Sequence, residues 1–258
     1  MVNRPNPVLE LTLEDGVAWV RLNRPEKRNA ISLQMRHELG LAFEQIERDD
    51  TIRVAVLTGN GPAFCAGVDL TEAQAAPNDA GSFTTKPVSH ALDRCDKPLI
   101  AAVNGPAVGG GLELVLATDI RIASLSARFR LPEVQLGSLP GSGGTQRLPQ
   151  VMFPAVAAKM LFTGEQIGAD EALRCGLVSD VTTPETLIQL AEEIANRIAA
   201  NAPLSLRAAK LALRAANDGM ETGRALERTL WESLSATSDR AEGRAAFRER
   251  RPPRFTGT

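Results

Sequence analysis

Residues 104–113 read N-G-P-A-V-G-G-G-L-E, and a second glutamate, Glu133, follows in L-P-E-V-Q-L-G at 131–137. Three consecutive glycines leave backbone N–H groups unshielded and allow positive φ. If a helix begins at such a turn, its first N–H groups have no intrahelical partner and its dipole favours negative charge. The turn is therefore suited to holding an oxyanion, and two carboxylates near it can move protons or activate water. This pattern points to carbonyl activation. It does not point to nucleotide binding: Gly105 and Gly109-Gly110-Gly111 lack the G-x-G-x-x-G spacing, and the glycine-rich stretch 137–145 lacks a Gly-Lys-Ser/Thr. Tight helix-on-strand packing accounts for one or two of the glycines, less well for three beside Glu113.

Around this stretch the chain alternates strands and helices. Residues 8–14 and 17–22 flank Asp15-Gly16, a hairpin signal. Ser32 caps an expected helix running to residue 50, with Leu39, Phe43 and Ile46 on one face. Residues 54–58 and 98–103 read as buried strands, the second ending at the glycine turn. Residues 112–117 read as helical, and 120–123 and 127–131 as short strands. P-G-S-G-G-T opens a further helix-entry turn. Helices are expected over 155–162 and 170–175, with Gly176 as a C-cap before a strand at 177–181. From Pro184 the pattern becomes helical, over 184–201, 204–217, 220–237 and 239–248. The expected division is a mixed α/β core at 1–190 and a helical region at 191–258. Residues 71–86 have little periodicity and are expected to form a mobile surface segment or lid.

Length and composition narrow the function classes. The 258 residues suffice for one large domain, or one domain with an appendage. Hydrophobic residues make up 43% and charged residues 23%, with a formal net charge of −2. That balance gives no reason to expect a nucleic-acid or membrane-surface partner. No apolar run is long enough to span a bilayer and the first residues lack the apolar core of a signal peptide, so the expected location is cytoplasmic. Cys65, Cys95 and Cys175 are far apart, which argues against a disulfide framework or a zinc site. With only His37 and His90, no histidine-rich metal cluster is available, and no tyrosine exists to supply a phenol.

Each candidate site residue also has a simpler reading. Glu113, in the first turn of its helix among Leu112, Leu114 and Val115, can serve as a dipole partner. Glu133, in an apolar strand–turn context, can pair with Arg128 or Arg130. An apolar setting raises a carboxyl pKa, which suits a group that both gives and takes protons. In A-G-V-D-L (66–70), Asp69 can start a turn or cap a helix, and Val68 offers only its backbone N–H. In N-R-P-E-K-R-N-A (23–30), Arg24, Lys27 and Arg28 can bind phosphate or form a basic surface turn.

Taken in order, N-R-P-E-K-R-N-A-I-S, G-P-A-F-C-A-G-V-D-L, K-P-L-I-A-A-V-N-G-P-A-V-G-G-G-L-E-L, L-P-E-V-Q-L-G-S-L-P-G-S-G-G-T-Q-R-L and A-F-R-E-R-R-P-P-R-F-T-G resemble the crotonase superfamily, the enoyl-CoA hydratase/isomerase family, along essentially the whole chain. The resemblance implies a spiral of ββα units and a helical C-terminal trimerisation region, assembled as a homotrimer or as a hexamer built from two trimers. It implies an acyl-CoA thioester substrate, a place in fatty-acid metabolism, and no metal or redox cofactor. The backbone N–H groups of Val68 and Gly110 fall where the family forms its oxyanion hole. Glu113 and Glu133 fall on the catalytic glutamates of the hydratase branch. Arg28 and Ala30 fall near the adenine and pantetheine path. Ala66, Asp69, Leu70 and Thr71 fall along the CoA and acyl passage, and Gly141 falls at the water pocket. The expected activity is hydration of a trans-2-enoyl-CoA. Alternatives are a 3,2-enoyl-CoA isomerase that shuttles a proton on Glu133, an RNA-binding member, and a catalytically silent acyl-CoA binder. The RNA-binding reading finds no lysine-rich helix here.

Overall fold

The computed structural model describes residues 7–75 and 87–258. The chain opens with β1 (Leu9–Glu14) and β2 (Val17–Leu22), an antiparallel pair in which Glu14 faces Val17. Asp15 and Gly16 turn the hairpin with φ of 47° and 81°. Positive φ at both positions matches the right-handed twist of the flanking strands. The helix Leu33–Arg48 follows, its first turn closed by Ser32 Oγ accepting from Met35 N at 3.0 Å. Next come β3 (Val54–Gly59), the short helix Leu70–Ala75 and, after the undescribed stretch, the helix His90–Asp93. The expected mobile segment at 71–86 thus begins in a helix, and its remainder lies outside the described residues.

β4 (Leu99–Val103) leads through β5 (Ala107–Val108) into the helix Gly110–Leu116. β6 (Ile120–Ser124), β7 (Arg128–Arg130), β8 (Gln166–Gly168) and β9 (Asp180–Thr182) complete two sheets. The larger has the order β1-β2-β3-β4-β6-β9, antiparallel only between β1 and β2. The smaller has the order β5-β7-β8, and an isolated bridge pairs Cys65 with Ala107 of β5. Helices Gly144–Val151, Pro154–Thr163 and Ala169–Arg174 lie between β7 and β9. Gly176, at φ 87°, ends the last of these as expected.

Two expectations shift. Leu177 and Val178 are buried core residues outside the ladder, so β9 starts later than the apolar run. Glu133 sits in a 3-10 helix, Glu133–Leu136, entered from Pro132, which has no N–H to give a ladder.

The central strands are buried on both faces, as parallel strands between layers must be. Ala55, Leu57, Leu99, Ala101 and Val103 join the main core with Met35, Leu39, Phe43 and Ile46. The alternate residues Val54, Val56, Ile100 and Ala102 pack with Leu187, Ala191 and Ala195 of the helix Leu187–Ala199. Residue 190, the expected division of the chain, therefore falls inside a helix that covers the sheet.

Beyond it come the helices Pro203–Ala215, Met220–Leu234 and Ser238–Glu249. The first is tied to the sheet layer by the buried Lys210, whose Nζ donates to Lys97 O at 2.6 Å and pairs with Asp119 at 2.8 Å. Among the described residues, no helix is long and apolar enough to cross a membrane.

Candidate active site

β4 delivers the chain to the glycine turn, and three close approaches explain its composition. A Cβ on Gly111 would run into the Cys65 carbonyl. Gly109, at φ 54°, would place a Cβ 3.0 Å from Glu133 Oε1. Gly110 would place one 3.3 Å from Ile31 Cδ1 and 3.7 Å from Val68 Cγ2. Across from it, Gly67 has φ 92°, and a Cβ there would stand 2.8 Å from Val108 O and 3.6 Å from Gly110 N. The turns carrying Val68 and Gly110 are thus in direct contact. Val108 N donates to Cys65 O at 2.9 Å, which ties the two turns together, and Ile31 N donates to Gly67 O at 2.8 Å, which ties the Val68 turn to a third segment. Among the described residues, neither Val68 N nor Gly110 N makes a backbone hydrogen bond. Gly110 is the first residue of its helix, so its N–H belongs to the unpaired first turn.

Glu113 is buried at 3% exposure one turn into that helix. Its Oε1 accepts from Ser142 N at 2.5 Å and from Gly144 N at 3.0 Å. Burial pushes its carboxyl above the usual range, opposed by those two donors and by the charges of Arg147 and Arg36. Glu133 Oε1 comes close to Gly109. Burial raises its carboxyl too, with the like charge of Glu113 adding to the effect. Glu133 Oε2 is buried and has no hydrogen-bond donor among the described residues. The simpler reading of Glu133 does not hold: Arg128 is bonded to the Leu125 and Ala127 carbonyls, and Arg130 to Gly164 O and Gln135 Oε1.

The structure brings the other candidates to the same rim. An isolated bridge joins Ile31 to Val68, and Ala66 N donates to Arg28 O at 2.9 Å. Arg28 is exposed, in the left-handed conformation at φ 51°, and Ala30 lies half-buried beside it. Arg24, a phosphate candidate from the sequence, instead turns inward, donating to Ala30 O at 2.7 Å and pairing with Asp69 at 3.2 Å. Asp69 is buried and also accepts from Thr71 N and Oγ1, the hydroxyl bond to Thr71 being the main reason its carboxyl is held below its ordinary value. Asp69 therefore braces the loop, while Leu70 and Thr71 stay exposed. Gly141 is exposed and opens the turn whose next residues hold Glu113.

Four residues that shape the site were not among the sequence candidates. Ser142 and Gly144 act through backbone N–H groups, which no residue pattern reveals. Arg36 and Arg147 reach Glu113 from helices far from it in sequence. A cavity of about 660 Å³ between the helix Leu33–Arg48 and residues 87–94 is lined by Leu33, Arg36, His37, Val88 and His90, among others. One of these lining residues, Val88, also has a methyl 3.7 Å from where a Cβ on Gly110 would stand. Among the described residues, no group of His, Cys, Asp and Glu side chains is arranged to hold a metal ion.

The chain is similar to known proteins over nearly its whole length. The enoyl-CoA hydratase/isomerase family profile matches residues 12–258. (E)-benzylidenesuccinyl-CoA hydratase of Thauera aromatica is 46% identical, covering 96% of this chain and 98% of its own. 2,3-dehydroadipyl-CoA hydratase of Escherichia coli is 42% identical, with 96% and 98% covered. The crystal structure of an enoyl-CoA hydratase from Bacillus anthracis superposes with a TM-score of 0.92 at 37% identity, over 97% of this chain and all of that one. The chain therefore belongs to the enoyl-CoA hydratase/isomerase family of the crotonase superfamily.

Proposed function

We propose that the protein is an enoyl-CoA hydratase that adds water to a trans-2-enoyl-CoA and releases a 3-hydroxyacyl-CoA. One observation carries this reading. Two carboxyls raised by burial flank a single glycine turn, Glu113 with Oε1 already fixed by two N–H donors and Glu133 with a buried oxygen that lacks one among the described residues. The hydratases of the family named above support the same reading.

In the reaction, the thioester carbonyl accepts from Val68 N and Gly110 N. Negative charge grows on that oxygen as the enoyl group becomes enolate-like, and these donors meet it where it forms. One such donor contributes about 2.7–4 kcal/mol of transition-state stabilisation. Glu113 orients a water and takes its proton as oxygen bonds to C3. Glu133 gives a proton to C2. The addition is redox-neutral and needs no metal or redox cofactor. The exposed Arg28 faces the CoA end.

The test follows the absorbance of the conjugated thioester with short- and medium-chain trans-2-enoyl-CoAs. The account expects its loss. Absorbance that instead appears from a 3-enoyl-CoA, with no loss from the 2-enoyl substrates, would establish the isomerase in its place.

A further inference from the structure

Glu113 does not hold itself in place. Its two donors, Ser142 N and Gly144 N, belong to a turn that would be loose without a second set of bonds. Ser142 O accepts from Arg147 Nη1 at 2.9 Å and from Ser89 Oγ at 3.0 Å. Ser142 Oγ accepts from Val88 N at 2.9 Å. Arg147 Nη2 pairs with Asp93 Oδ1 at 2.6 Å, and Ser89 Oγ lies 3.0 Å from Asp93 Oδ2 as well as from Ser142 O, its one proton serving either acceptor. Gly143, at φ 97°, makes this possible: a Cβ there would stand 2.9 Å from Arg147 Cζ, so only glycine lets the guanidinium fold back over its own turn.

We propose that Arg147, braced by Asp93, is a positioning residue that clamps the turn 142–144 and thereby fixes the orientation and charge of Glu113. The proposal rests on the hydratase reading for its kinetic consequence, and its structural core stands without it. The hydrogen bonds and ion pair of Arg147 among the described residues go to Ser89, Ser142 and Asp93, which places it behind Glu113 as a brace for its donors. Three charged groups face Glu113: Arg147 from the helix Gly144–Val151, Arg36 from the helix Leu33–Arg48, and Glu133 from its 3-10 helix. Both arginines favour the carboxylate and Glu133 opposes it. Arg147 also bonds the turn that supplies the Glu113 donors.

The test compares wild type with Arg147→Gln, Arg147→Lys and Asp93→Asn in two measurements. In the first, ¹³C-labelled glutamate is titrated by NMR, with Glu113→Gln identifying its resonance. Arg147→Gln should move the Glu113 midpoint to higher pH, and Arg147→Lys, which keeps the charge, should restore most of it. In the second, kcat should fall about ten- to a hundredfold in Arg147→Gln with KM little changed, because the loss is of alignment, and the acid limb of the kcat profile should shift in the same direction as the midpoint. Asp93→Asn, which weakens the brace but keeps Arg147, should lower kcat less. A Glu113 midpoint that does not move in a folded Arg147→Gln protein overturns the proposal, as does a loss expressed in KM alone. Should the wild type show no hydratase activity, the NMR titration still decides the clamp, so the two readings fail separately.

Discussion

A single oxygen, Glu113 Oε1, gathers both backbone donors of the turn 142–144, while the carboxyl as a whole sits at 3% exposure. Burial wins over the donors and the two arginines, and the pKa is raised. Folded Glu113 therefore binds its proton more tightly than the unfolded chain does. Stability that is intact below the unfolded value of about 4.3 is lost as pH rises through the higher folded pKa. Glu113→Gln keeps an acceptor for Ser142 N and Gly144 N without a charge to desolvate. This variant should melt at a higher temperature than wild type at neutral pH, and the gain should disappear as pH falls below 5. Thermal melts across pH 4–8 would show it, and a variant less stable than wild type at pH 7 would refute it. The catalytic counterpart is a bell-shaped rate profile. On the proposed mechanism, protonation of Glu113 should end activity on the acid side and deprotonation of Glu133 on the alkaline side, both limbs lying above the ordinary carboxylate range.

The elements that matter most are two turns, and here glycine is a matter of contact. Gly67 leaves 2.8 Å between an added Cβ and Val108 O, besides its φ of 92°. Gly67→Ala should therefore push the Val68 turn off the glycine turn and separate the two proposed donors. The expected result is a loss of kcat of about a hundredfold with the fold retained by circular dichroism; unchanged kcat would remove Val68 from the oxyanion hole. At this scale the sequence was partly readable. The Asp15-Gly16 hairpin, the Ser32 cap, the central strands and the helix beginning at the glycine turn all follow from local pattern, because each depends on residues close in the chain. The contact between Val68 and Gly110 did not follow from pattern; only the family resemblance pointed to it. The donors to Glu113 escaped altogether. They are N–H groups of Ser142 and Gly144, set by a turn whose sequence says only that a helix is about to start. Glu133 reads as strand–turn from its apolar neighbours, yet after Pro132, which has no N–H for a ladder, it begins a 3-10 helix.

At the scale of the molecule, one sheet separates two cores. The helix Leu187–Ala199 closes one face, and the glycine-turn layer lies on the other. The later helices leave large apolar side chains in the open: Phe247 is 86% exposed, Met220 77% and Leu213 72%. We propose that copies of this chain cover them in a homotrimer or in a hexamer of two trimers. Light scattering on the purified protein should give three or six times the 27.6 kDa chain mass; a monomer mass would contradict it. The central claim is that two glutamates across one thioester add water, and one experiment addresses it directly. The protein is given a trans-2-enoyl-CoA in ¹⁸O-labelled water, and product mass and rate are recorded for wild type, Glu113→Ala and Glu133→Ala. The account predicts a labelled 3-hydroxyacyl-CoA from wild type and a rate lower by at least about a hundredfold in each variant. Full activity in either variant, or a product without the label, would contradict it.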